Sequence, residues 1–201
     1  MEITTASFDH CVKSDIWCQF TDLIDTTINP VTGEILEFGV FKGNSIRFLA
    51  NRLPSRKIYG FDSFEGLPED WVRNEYSTYK TGHFKTAIPA VPDNVTLIKG
   101  FFNDSLPEWI QTHNPKFIAF IHIDSDLYSS AITILRTLNH AILPGTVIVF
   151  DELCDWSNSV LYRNWKAGEW KALQEWVSEF DREVIPISRT PKWSAAIKVI
   201  T

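Results

Sequence analysis

The sequence predicts a doubly wound α/β fold on a mostly parallel sheet, from three observations. Five short apolar runs alternate with stretches of helical periodicity, the runs are continuous rather than alternating, and the chain closes on two further runs joined by a short turn. A strand buried on both faces has no polar side to show, so continuous β-branched and aromatic runs mark the interior of a parallel sheet. In the first 33 residues, Trp17, Phe20, Ile24 and Ile28 share one helical face, and this segment is expected to cover an edge of the sheet. The runs EILEFGV (34–40), KIYGF (57–61), VTLIK (95–99), FIAFIHI (117–123) and GTVIVF (145–150) are the expected parallel strands. Between them, NSIRFLANRL, DSLPEWIQTH and SSAITILRTLNHAI read as helices; in the last of these Ile132, Leu135, Leu138 and Ile142 recur at helical spacing. Right-handed crossovers place such helices on both faces of the sheet. A Trp-rich helix, GEWKALQEWVSEF, then leads into REVIPI and KWSAAIKVI, a pair close enough in sequence to run antiparallel.

Composition removes several classes of function. At 201 residues and 44% hydrophobic, the chain can bury one sizeable core, and a single domain over 1–201 is expected. A net charge of -6 without a Lys/Arg cluster argues against nucleic acid, whose phosphates demand basic surface. No apolar run reaches the ~20 residues of a membrane span, and the start MEITTASFDHCVKSD has neither a basic nor an apolar leader region. No membrane association and a cytoplasmic location are therefore expected. Cys11, Cys18 and Cys154 form no close pair and are expected to be free, packed thiols.

In an open parallel sheet, ligands bind beyond the carboxyl ends of the strands, so the residues just after each run carry the chemistry. After the first comes EFGVFKGNS, with Glu37, then Gly39 and Gly43 before a helix start at Asn44 or Ser45. Glycines let backbone approach a ligand closely, and the N–H groups of the next helix favour a negative group. Phe41 stands where a second close glycine would complete GxGxxG, which disfavours a dinucleotide pyrophosphate. At the second strand end, Asp62 lies 19 positions after Gly43, where a carboxylate accepts both hydroxyls of a ribose. A tight turn and a capping aspartate are the plain structural alternatives for these two features. After the third strand, Asn103 or Asp104 is expected to cap a helix, and a polar side chain here also reaches toward an adenine edge. The fourth run ends in Asp124 and Asp126, the fifth in Asp151 and Glu152. Four carboxylates at two neighbouring strand ends are costly unless a cation or protons relieve them, and hard oxygen ligands select Mg²⁺, Ca²⁺ or Mn²⁺. His122 is expected to be a core histidine, because alternation along its strand turns it inward. The long aromatic segment 68–93 reads as a binding loop, in which Trp71, Tyr76, Tyr79, His83 and Phe84 are candidates to wall a pocket, as are Trp156, Tyr162 and Trp165 further on.

Together, EFGVFKGNSIRFLA, YGFDSFEGLPEDW, IHIDSDLYSS and GTVIVFDEL closely resemble the macrocin O-methyltransferase family, over roughly residues 33–180. The resemblance implies a Rossmann-like class I methyltransferase fold, with a seven-stranded sheet whose last strand is antiparallel. It also implies S-adenosylmethionine at the first three strand ends and a divalent metal, usually Mg²⁺, at the fourth and fifth. Carried over residue by residue, Glu37, Gly39, Gly43 and Ser45 belong to the cofactor turn, and Asp62 with its neighbour Ser63 to the ribose site. Asn103 and Asp124 border the cofactor. Asp124, Asp151 and Glu152 become metal ligands, and Asp126 the general base. The implied activity is methyl transfer to a hydroxyl, one of a vicinal pair, on a small molecule such as a sugar, polyol or phenol. The N-terminal 33 residues would then cover the sheet edge or the acceptor site, and a homodimer is compatible with this picture. Two rivals stand beside it: a catalytically silent S-adenosylmethionine-binding protein, and a different Rossmann-like, NAD-dependent enzyme.

Overall fold

The computed structural model describes residues 3–201. Its central sheet has seven strands: β1 (Glu34–Phe38), β2 (Ile58–Asp62), β5 (Val95–Lys99), β6 (Ile118–Ile123), β7 (Val147–Phe150), β8 (Val184–Arg189) and β9 (Ala195–Val199). The other two strands, β3 (Trp71–Asn74) and β4 (Ser77–Tyr79), form a separate antiparallel hairpin. The order across the large sheet is β5-β2-β1-β6-β7-β9-β8. The first five pair in parallel; β9 is antiparallel to both β7 and β8, which makes the last strand the one that runs against the rest. Strand order reverses between β1 and β6, and the ligand crevice of such a sheet opens at that reversal.

Strand alternation divides the core into two layers. On one side Leu36, Phe38, Phe61, Ile121 and Ile123 pack against α3 (Phe102–His113), α4 (Tyr128–Leu138) and α5 (Glu169–Glu179). Here Leu135 and Trp176 are fully buried, and Trp176 Nε1 donates to Asn139 Oδ1 at 3.0 Å. On the other side Ile35, Phe120, Val147 and Val149 meet α1 (Ile16–Leu23) and α2 (Asn44–Arg52). All six side chains of β6 are buried, His122 among the apolar ones, as a strand covered on both faces requires. Each fully buried Leu, Ile or Phe contributes roughly 1.5–3 kcal/mol of transfer free energy, so the two layers supply the main stabilising term.

The N-terminal helix continues from α1 into a π-turn at Ile24–Ile28 and lies on a face of the sheet rather than along its edge. Phe20 meets Phe120 at 6.2 Å and His122 at 4.9 Å, both on the central strand β6. Phe20, Ile24 and Ile28 are buried there, while Trp17 stays 42% exposed on the rim. The three cysteines are free; Cys154 is buried, whereas Cys18 is exposed and packs no core. Among the described residues no helix is long and apolar enough to cross a membrane.

Candidate active site

The turn after β1 is shaped by the strand beside it. Gly39 has φ +92°, and a Cβ added there would lie 1.7 Å from the carbonyl oxygen of Asp124 at the end of β6. Only glycine fits both the left-handed backbone and that approach. Gly43, at φ +76°, is the N-cap of α2. Asp62 ties the turn to the next strand: its Oδ2 accepts from the Phe41 N–H and its Oδ1 from the Phe64 N–H, both at 2.7 Å. It therefore orders two loops while facing the same cavity as Gly39 and Ser63. Ser63 Oγ donates to the Gly66 carbonyl.

Glu37 and Ser45 sit behind this turn. Glu37 is fully buried and accepts from Ser45 Oγ at 3.0 Å, with His122 Nδ1 3.1 Å from its other oxygen. With the proton on Nδ1, the imidazole N–H donates to that carboxyl oxygen. His122 is a core residue, as alternation predicted, though its Nε2 has no partner. The Ser45 hydroxyl is thus committed to Glu37. The expected cap on α3 is not formed: the helix begins earlier, with Phe101 as N-cap and no side-chain cap bond. Asn103 and Asp104 lie within its first turn, and Asn103 faces the cavity. Phe102 opens the helix and packs on Phe38 at 5.3 Å.

The two acidic strand ends meet at the reversal point. The Asp124 N–H donates to Phe38 O at 2.8 Å and the Asp151 N–H to Ile123 O at 2.9 Å, which continues the β1–β6–β7 ladder to its last residues. Asp126 then leaves the strand in a left-handed conformation, φ +63°, a strained position for a residue other than Gly, Asn or Asp. Through that bend, carboxylate oxygens of Asp124, Asp126 and Glu152 come within 4.8 Å of one another. Asp151 lies outside this triangle, and burial pushes its carboxyl above the ordinary range, with the His122 imidazole acting in the opposite sense. Burial, then the charges of Asp151 and Asp126, push Asp124 well above the usual carboxylate range. Burial and Asp151 push Asp126 up to about 7. Glu152 is raised by burial and by Asp151 first among its neighbours, and its Oε2 is buried with no partner.

Pattern reading missed three contributors. Glu169, in the first turn of α5, is fully buried beneath the cluster and accepts from the Glu152 N–H at 3.0 Å. Its sequence context, GEWKAL, looks like an ordinary acidic helix start. Arg73 and Trp193 also line the cavity, which measures about 560 Å³. The segment 68–93, expected as irregular, contains the β3–β4 hairpin, and its Trp71, Tyr79 and Phe84 line the cavity. Tyr76 is 89% exposed, and His83 stacks on Tyr79 at 4.2 Å. Tyr162 is buried against Trp71, Trp156 packs on Phe8 and Trp165 on Trp170, so these three support loops.

A cavity at the β1/β6 reversal, with a glycine turn after β1 and carboxylates at the ends of β2, β6 and β7, belongs to a class I methyltransferase fold. Solved structures agree. Calicheamicin methyltransferase CalS11 is 22% identical with a TM-score of 0.67, over 90% of this chain and 79% of that one. The O-methyltransferase NovP is 22% identical with a TM-score of 0.60, over 90% and 76%. MycE methyltransferase of mycinamycin biosynthesis, solved with Mg and SAH, is 16% identical with a TM-score of 0.58, over 92% and 49%. The family model for macrocin-O-methyltransferase (TylF) matches residues 17–181, and the chain belongs to that family of O-methyltransferases. No curated protein sequence matches the chain.

Proposed function

We propose that residues 1–201 work as one methyltransferase domain that moves a methyl group from S-adenosylmethionine to one hydroxyl of a vicinal pair on a small molecule, with a divalent cation, Mg²⁺ by its chemistry, at the carboxylate cluster. The observation that carries this reading is the triangle of half-buried Asp124 and Asp126 with buried Glu152, in the same cavity as the Gly39 turn and Asp62. A donor set of carboxylate oxygens fits a hard cation, and Glu152 Oε2, buried without a partner, is an acceptor that a cation would satisfy. The cradle at Gly39, open because no Cβ fits, and the acid at Asp62 suit a nucleoside-bearing cofactor. MycE, solved with Mg and SAH, supports the same pair of ligands.

When bound, the cofactor supplies an electrophilic methyl group and the cation supplies Lewis acidity toward the acceptor oxygens. Asp62 and Ser63 anchor the ribose end, and Asn103 borders the adenine. Asp124 and Glu152 would hold the cation, with Asp151 beside them. Asp126 Oδ takes the proton of the attacking hydroxyl; a base pushed up toward neutral pH is matched to that transfer. Trp71, Tyr79 and Phe84 exclude water from the acceptor side. Holding both reactants rigidly is the larger share of the acceleration, up to about 7–11 kcal/mol of the barrier.

Calorimetry tests the assignment. S-adenosylhomocysteine should bind the wild-type protein in preference to NADH. Asp124→Asn and Glu152→Gln should weaken Mg²⁺ by at least about tenfold. Asp126→Asn should keep Mg²⁺ binding while losing methyl transfer. If Asp126→Asn loses Mg²⁺ as fully as Asp124→Asn, Asp126 is a ligand and the base lies elsewhere; absent S-adenosylhomocysteine binding removes the methyltransferase reading.

A further inference from the structure

The acceptor side of the cavity holds a cation that neither the cofactor nor the metal accounts for. Arg73, on β3, is 8% exposed and lines the cavity. Its guanidinium carbon lies 4.8 Å from the ring of Trp71, 5.2 Å from Tyr79 and 5.1 Å from Trp193. These rings come from both hairpin strands and from the loop before β9, where Trp193 Nε1 donates to buried Asp155 at 3.3 Å. Arg73 Nη1 donates to Tyr79 Oη at 3.1 Å. Nε is buried without a partner, and among the described residues Arg73 forms no ion pair within 4.0 Å. One of its five N–H donors is thus used by the protein.

Aromatic rings around a guanidinium take up its planar faces and leave its in-plane edge, the edge that grips carboxylate or phosphate with two parallel hydrogen bonds. A buried charge with no partner is costly, and a site that keeps one has a use for it. The cavity is polarised as a result, with carboxylates from the β6 and β7 ends and a caged guanidinium from β3 in its lining. Arg73 and Asp126 line the same cavity, so the cage and the proposed base share the acceptor side.

We propose that Arg73 determines acceptor specificity by binding an oxyanion, carboxylate or phosphate, that the acceptor carries close to the hydroxyl to be methylated. This rests on the methyltransferase reading of the cavity and narrows its substrate class from small hydroxyl compounds to anionic ones.

The test uses matched probes on protein loaded with Mg²⁺ and S-adenosylhomocysteine, read by calorimetry and by fluorescence of the cage tryptophans. 3,4-Dihydroxybenzoate is compared with its neutral amide, and glucose 6-phosphate with glucose. At least one anion should bind roughly tenfold or more tightly than its neutral partner, and the pair that discriminates identifies carboxylate or phosphate. Arg73→Gln should collapse that ratio to within about twofold, and Arg73→Lys, which keeps the charge without the planar fork, should retain part of it. Retained S-adenosylhomocysteine binding by the variants shows that the cavity is intact; where Arg73→Gln loses it, the Lys variant carries the comparison. Equal binding within both pairs, no anion binding up to about 10 mM, or a preference that survives Arg73→Gln overturns the proposal, the last because the cation would then be the anion's partner. Failure of the wild-type protein to bind S-adenosylhomocysteine removes the methyltransferase reading instead, and the same probe ratios on Mg²⁺-loaded protein still report on Arg73.

Discussion

Without a divalent cation, the protein is expected to lose stability as pH rises from about 4 to about 7, the reverse of what most carboxylates produce. Asp126 has an ordinary value of 3.8 and is pushed up to about 7 in the fold, by burial first and then by Asp151. A raised folded value means that the native state binds the proton more tightly than the unfolded chain. Its contribution is therefore fully present below about pH 4 and is lost as pH climbs through the folded value. The rise corresponds to about 4 kcal/mol at most. Solvent and salt at this partly exposed carboxylate reduce that to roughly 2 kcal/mol. Asp124, Glu152 and Glu169 shift in the same direction. The carboxylates held low by partners, Asp15, Glu65, Asp70 and Glu75, lose their contribution only as pH falls below the ordinary range, so they do not mask the trend. Mg²⁺ requires the ionised cluster, so its stabilising effect should grow over the same interval. Urea midpoints between about pH 5 and pH 8, with and without Mg²⁺, measure both. Asp126→Asn should flatten much of the slope, and Asn accepts the left-handed backbone that Ala would strain. A midpoint that holds or rises with pH in the absence of Mg²⁺, or a Mg²⁺ effect equal at both ends, refutes the coupling of these carboxylates.

Three further outcomes follow from particular contacts. Gly39→Ala forces a Cβ to 1.7 Å from the Asp124 carbonyl at φ +92°, and should cost at least about 2–3 kcal/mol by denaturation and remove S-adenosylhomocysteine binding. Glu169→Ala leaves the buried Glu152 N–H without an acceptor, for about 1–3 kcal/mol, and should weaken Mg²⁺, whereas Glu169→Gln keeps an acceptor oxygen and should retain most of both in titrations. A thiol reagent should modify exposed Cys18 rapidly and buried Cys154, whose thiol is pushed up to about 12, only on unfolding; fast modification of all three thiols in the native protein would contradict the packing around Cys154.

What the sequence by itself determined is what neighbouring residues encode. Unbroken runs such as IAFIHI fixed strands buried on both faces, and helical spacing fixed α4. The glycines after β1, Asp62, and the acidic ends of β6 and β7 were legible because a ligand-binding strand end concentrates its chemistry within a few residues. The tertiary structure decided which of those groups converge. Two carboxylates on an extended strand would share a face by alternation; Asp126 instead reaches Asp124 and Glu152 through a left-handed bend that no periodicity announces. Ser45 turned to Glu37, and α3 began at Phe102, because buried partners outcompeted the local rules for caps and turns. Glu169, Arg73 and Trp193 read as an acidic helix start, a polar strand residue and a loop tryptophan; each acquires its role only when crossovers and loops bring distant segments to one cavity. Local pattern specifies which face of an element is buried, whereas the partners on that face are set by contacts at long sequence separation.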